Sequence, residues 1–222
     1  MEKLGFLAIL KQSLGGAFGG GNENQSVKAE KLEDWFKAAH TGDRALLRKL
    51  LRSGIQIDSQ STQGRTALMV ATYNRDEQTV AYLIGEGADV NLRDQRLNSP
   101  FLFAAAEGYV ELLKLMTDTG DTKIVNRYGG IGIIPASERA HFETLEWLLL
   151  HTDSDVNHLN NLGWTALLEA IILGDGTEKY VKIIELLVAN GASIDIADRD
   201  GVTPIEHAEK QGYHKILDVL QK

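Results

Sequence analysis

The chain has 222 residues, no cysteine, and 31 acidic side chains against 23 lysines and arginines, for a formal net charge of −8. That charge gives no general attraction to a phosphate backbone or an anionic membrane surface, so nucleic acid is not an expected partner. Without cysteine there is no disulfide framework, thiolate nucleophile or cysteine-type zinc site, which fits a reducing compartment and a cytoplasmic location, and no apolar run reaches the roughly 18 residues of a membrane span.

Residues 1–14, MEKLGFLAILKQSL, carry a short apolar run, and a glycine-rich stretch at 15–21 follows. The stretch reads as a flexible linker, and 1–14 as a tail or short helix resting on what comes next. The alternatives are a segment touching a membrane surface or a partner, and an export signal within 1–20, which Glu2 beside Lys3 and the break at Lys11 fit poorly. The boundary falls after residue 26: 1–26 stand apart, and 27–222 form one array. Residues 27–58 keep a two-helix pattern through Ala38, Gly42, Leu46, Leu47, Leu50 and Gly54, but KLEDWF at 31–36 has no capped opening. This is the expected form of a terminal cap, with Lys28, Glu30, Lys31, Glu33 and Arg44 as its solvated face and Trp35 as a core plug.

Residues 64–91, GRTALMVATYNRDEQTVAYLIGEGADVN, show the full pattern. Thr66 is placed to cap a short helix, with Leu68 and Ala71 facing inward. Val80, Leu83 and Ile84 then form one apolar face of a second helix, and Gly87 supplies the left-handed residue that ends it. The same grammar reopens at Ser99, about Ile131, Thr165 and Thr203, with spacings near 33 residues. The later copies are SPFLFAAAEGYVELLKL, ASERAHFETLEWLLL, WTALLEA with ELLVANGASID, and TPIEHAEKQGYHKIL. Over about residues 31–222 the chain resembles the ankyrin repeat family. More narrowly it is similar to small bacterial ankyrin proteins that combine an SPFL-like box, a Gly-Gly-x-Gly segment before a displaced Pro-Ala, and a GWTxLLEA box. The resemblance implies an all-α ankyrin repeat solenoid of about six helix-turn-helix repeats, including atypical N- and C-terminal caps.

Pro100 stands at a first helical position, where its missing N–H costs nothing. The family's box ends in histidine, whereas this chain has Met69, Leu102, Ile134, Leu168 and Glu206 there, so burial must carry more of the stability. In RYGGIGIIP at 127–135 the proline comes about three residues late and predicts a helix starting at or near Pro135, with irregular backbone in place of the first turn. The glycines lack the lysine offset and preceding strand of a phosphate loop, and read as a relaxed turn or a partner-contacting loop. His151, Asp153, Asp155 and His158 raise the question of a metal, but Asp155 and Asn157 already belong to the turn pattern and a helical histidine pair is missing. Trp164 sits just before the capping Thr165, on a projecting turn, and either stays exposed or folds down beside Leu162. The connection at 173–179 is about five residues longer than its counterparts and reads as a mobile loop. The last repeat ends in a polar outer side that includes His207, Glu209, Lys210 and His214.

The resemblance implies a non-catalytic module that binds another protein through a concave face of turn tips and first helices. A purely structural or accessory role differs only in the partner. The partner-binding residues expected are Tyr73, Asn98, Arg127, Tyr128, Arg139, Asn161 and Trp164, within a wider face that includes Arg65, Asn74, Arg96, Glu107, Glu138 and Arg199. Tyr73, Arg127, Tyr128 and Trp164 have the chemistry of interface hot spots. The alternative is an enzyme with a hydrolase or metal site at 129–132 or 151–158. It lacks any nucleophile-elbow, zincin or dinucleotide motif, and a repeat surface offers no enclosed pocket of the kind that shifts catalytic pKa values. No catalytic, metal or cofactor-binding residue is assigned, and no cofactor is expected.

Overall fold

The computed structural model describes residues 23–222, with side chains from Ala29 onward. The expectations for 1–14 and for the linker at 15–21 lie outside the described residues. Among those described, the regular elements are helices: α1 (Glu23–Thr41), α2 (Arg44–Arg52), α3 (Ala67–Tyr73), α4 (Glu77–Gly85), α5 (Pro100–Ala106), α6 (Val110–Met116), α7 (Ile133–Glu138), α8 (Phe142–His151), α9 (Ala166–Ile172), α10 (Glu178–Ala189), α11 (Pro204–Gln211) and α12 (His214–Leu220). They fall into two compact units, one ending at Ala88 and the other Asp89–Lys222.

In the first unit α1 packs on α2 and α3, and α3 on α4. Trp35, Phe36 and Ala39 of α1 are buried with Leu47, Leu68, Val80 and Leu83. Trp35 is thus the plug its position suggested. The Thr66 hydroxyl accepts from the Met69 N–H, Asp43 and Asp76 cap α2 and α4 in the same way, and Gly87 adopts φ 91° after the end of α4. The cap's charged face is less solvated than expected: Glu30 is exposed, but Lys31, Glu33 and Arg44 are half-buried. Arg44 is drawn in because its guanidinium donates to Gln78 on α4.

In the second unit the first helices α5, α7, α9 and α11 pack side by side in that order. The second helices α6, α8, α10 and α12 form a parallel series of contacts, each also packed on its own first helix. Leu102, Leu113, Ile133, Leu145, Leu167, Ile184 and Leu187 fill the space between them. Ser99, Thr165 and Thr203 each cap a first helix through the hydroxyl, and Thr203 with Glu206 completes a capping box.

The repeat opened by α7 departs from the sequence expectation. Its helix begins at Ile133, two residues before Pro135, with Gly132 as the N-cap. Pro135 therefore sits inside the first turn, where N–H groups have no intrahelical acceptor, so the missing donor is tolerated there. Burial of Ile131, Ile133 and Ile134 holds the turn that was expected to be irregular. The longer connection at 173–179, expected to be mobile, is tied down. Asp175 accepts from both the N–H and the hydroxyl of Thr177, and the Tyr213 hydroxyl donates to the Gly174 carbonyl at 3.0 Å.

Candidate functional site

The four turn tips of the second unit are built by one device. A single side-chain oxygen accepts from the backbone N–H groups two and four residues on: Asp94 from Arg96 and Asn98, Asn126 from Tyr128 and Gly130, Asn160 from Leu162 and Trp164, Asp198 from Asp200 and Val202. An Asp or Asn here substitutes its own oxygen for a backbone acceptor and so shapes a turn without help from a helix. The residues between are pushed outward, which is how Tyr128 comes to be 58% exposed.

Neighbouring tips are joined by the Asn161 N–H, which donates to the Tyr128 carbonyl at 2.8 Å. His158 supports the same tip, with Nε2 lying 2.8 Å from the Gly129 carbonyl oxygen. Arg127 lays its guanidinium over the Tyr128 ring, 4.7 Å from the centroid. Gly129 stands at φ 77°, and a Cβ there would lie 2.3 Å from Asn161 Oδ1, so the close approach of the tips requires glycine.

Between the tips at 126–130 and 160–164, and over α7 and α9, lies a concavity of about 380 Å³. Tyr128, Leu162 and Trp164 line it from the tips, Ile134 and Pro135 from α7, and Glu138 and Glu169 bring its two charges. Glu169 is only 7% exposed. Its Oε1 accepts from Asn160 Nδ2 at 2.6 Å, and its Oε2 accepts no hydrogen bond from a described residue. Burial pushes its pKa up to about 7, the negative charge of Glu138 adds to the rise, and the Asn160 hydrogen bond opposes it. The carboxyl is thus shifted within an open concavity, not in the enclosed pocket whose absence was expected.

Of the residues expected from sequence, Arg127, Tyr128, Asn161 and Trp164 come together here. Trp164 is half-buried, neither fully exposed nor part of the core, and shares the wall with Leu162. Arg139 is one residue beyond Glu138, but its guanidinium is spent on the Ala106 carbonyl and the Glu107 carboxylate, where it acts as a strut between repeats. Asn98 is built into its own tip, with its N–H on Asp94. Tyr73 belongs to the other unit, half-buried with the Arg65 guanidinium 4.7 Å from its ring centroid.

Asn160 and Glu169 were not singled out from sequence. The available signal was a carboxyl between Leu168 and Ala170, both fully buried, at the place that Val70 and Phe103 hold in other copies. The histidines and aspartates of 151–158 go to separate partners. His151 stacks on Trp147, Asp153 accepts from the Thr122 hydroxyl, and Asp155 accepts from the Asn157 N–H. Among the described residues no cluster of three or more His, Asp or Glu could hold a metal.

Pairs of short helices packed in two series, with side-chain-built tips projecting from one edge, define a helical repeat protein of the ankyrin type. The family described as ankyrin repeats (3 copies) matches residues 35–127 and 133–222, and the chain belongs to it. The ankyrin repeat protein YahD of Escherichia coli K12 is 37% identical over 188 residues, spanning 84% of this chain and 94% of that protein. A solved ankyrin repeat domain from Acinetobacter baumannii AYE superposes with a TM-score of 0.81 at 45% identity, covering 84% of this chain and 95% of that one. A second solved ankyrin repeat protein, EF0377, gives a TM-score of 0.81 at 35% identity over 85% and 96% of the two chains. Ankyrin repeat proteins are generally non-catalytic and mediate protein–protein interactions. No described helix is long and apolar enough to cross a membrane.

Proposed function

We propose that the chain is a non-catalytic interaction protein that binds another protein through the tip face of 89–222, with Arg127, Tyr128, Asn161 and Trp164 at the centre of contact. Asn98 and Arg139 lie on the rim of that contact, and Tyr73 makes a separate one in the first unit. The observation that carries this reading is the concavity walled by Tyr128 and Trp164. A surface that leaves a tyrosine out in water beside a half-buried tryptophan has the anchors of an interface already in place. The tips are held by several hydrogen bonds each, so little order remains to be imposed on binding. We place the array at 27–222 with 1–26 ahead of it, α1 crossing that boundary from Glu23, and the cysteine-free sequence suits the cytoplasm. The net charge of −8 favours a protein partner over nucleic acid.

A pull-down from the source cells with wild type and with Trp164→Ala tests this. The partner should be lost from the variant while its melting temperature stays within a few degrees, as about 1 kcal/mol would allow. A variant that still captures every wild-type partner contradicts the reading.

A further inference from the structure

We propose that the concavity between the 126–130 and 160–164 tips is a receptor for a basic side chain of the partner, a lysine ammonium or arginine guanidinium seated against Tyr128 and Trp164 and paired with the carboxylates of Glu169 and Glu138. This rests on the reading that the partner is a protein and names the chemistry it must present.

Three features point to a cation. The charged residues lining the concavity are Glu138 and Glu169, with no basic residue among them. Glu169 is 7% exposed, with one oxygen held by Asn160 and the other without a hydrogen-bond donor from the protein. That second oxygen is not itself sealed off, since Glu169 lines the concavity, so a positively charged donor brought from outside can reach it. The walls are aromatic and aliphatic, and such walls take the stem and head of lysine or arginine together, rings attracting the charge and Ile134, Pro135 and Leu162 covering the methylenes. Arg127, which is not among the lining residues, already lays a guanidinium on the Tyr128 ring. An acidic group would meet two like charges, and a purely apolar one would seal two carboxyls away from water with nothing in return.

The protonation of Glu169 adds a signature. Of the helices packed on α9, α7 brings Glu138. The α10 helix brings Tyr180, whose hydroxyl is given to the Glu138 carbonyl, and α11 brings His207, which is held by Asp198. With its pKa raised to about 7 by burial and Glu138, Glu169 must lose its proton to pair with a cation. Affinity should therefore rise by about tenfold between pH 6 and pH 8.

The test uses acetyl-Gly-Arg-Gly-amide and its lysine, norleucine and glutamate counterparts as probes. Each is titrated at constant ionic strength while the Trp164 indole N–H is followed by NMR. The arginine and lysine probes should shift that resonance saturably and bind at least about fivefold more tightly than norleucine, a difference of about one charged contact. Glu169→Gln, which can still accept from Asn160, should weaken them about fivefold or more, and Glu138→Gln should act in the same direction. Equal binding of norleucine and arginine, affinity indifferent to both substitutions, or no shift with any probe would each overturn the assignment. If the probes fail while Trp164→Ala still loses its captured partner, the cation receptor falls and the protein-interaction reading stands. If Trp164→Ala also keeps its partner, both fall.

Discussion

The tip that carries Trp164 and the tip that opens the last repeat are closed by the same device with opposite consequences. In each, the turn-forming residue reaches nine positions ahead to a side chain on the following helix: Asn160 to Glu169 at 2.6 Å, and Asp198 to His207 at 2.8 Å. In the last repeat the carboxylate is the turn-former. Its pKa is lowered, by the Val202 N–H first and then by the His207 side chain, so the fold is stabilised by the charge it holds. In the Trp164 tip the roles are exchanged, and the carboxyl is on the helix, buried and facing Glu138. Its ionised form works against folding. One pair is scaffold, whereas the other keeps a charge where the fold would do better without it, and that charge is the one the proposed cation receptor uses.

The linkage follows from these directions. For Glu169 the folded-state pKa lies above the ordinary 4.5, so the native state holds its proton more tightly than the unfolded chain. Its contribution is most favourable below pH 4.5 and is lost as pH rises to about 7. For Asp198 the folded pKa lies below the ordinary 3.8, so its contribution is present above that value and lost as pH falls through the folded one.

A reference variant sets the scale of the comparison. Leu187 of α10 is fully buried, and Leu187→Ala should cost about 2–5 kcal/mol in denaturant titration at any pH between 5 and 8, because no titrating group is altered. A loss below about 1 kcal/mol would mean that the repeat packing is wrong there. Glu169→Gln should act in the opposite direction. At pH 8 it should raise stability by up to about 3 kcal/mol, and the gain should vanish near pH 4.5. Asp198→Asn should lower stability at pH 7 by a smaller amount, and the loss should fade as the pH drops below the ordinary aspartate value. A stabilising Asp198→Asn would remove the contrast between the two tips. Trp164→Ala should have the smallest effect on stability, under about 2 kcal/mol, because the half-buried ring lines a concavity and does not fill a core.

Most of the fold could be read from the sequence because it is written in local chemistry. Thr66, Ser99, Thr165 and Thr203 cap helices by reaching three residues ahead, and Gly87 takes its left-handed conformation whatever packs around it. Pro135 misled because a proline inside the first turn is as tolerable as one at its start, and the choice was made by burial of Ile133 and Ile134 against neighbouring repeats. The tip residues Arg127, Tyr128, Asn161 and Trp164 were found by position, since tips project in every copy. Arg139 was selected as an exposed position late in a first helix, but it is held by Glu107, a residue one repeat earlier. Glu169 was missed for a related reason. Within WTALLEA it looks like an ordinary helix former, and only Glu138 and Tyr128 from the preceding repeat make it a buried acid in a concavity.

The most direct measurement is the titration of the Glu169 side-chain carboxyl by carbon NMR, alone and with saturating acetyl-Gly-Arg-Gly-amide. The carboxyl should titrate with a midpoint of about 7 in the free protein and move to lower pH when the arginine probe is bound. A midpoint near the ordinary glutamate value of 4.5, unmoved by the probe, would contradict both the burial of this charge and its use as a cation receptor.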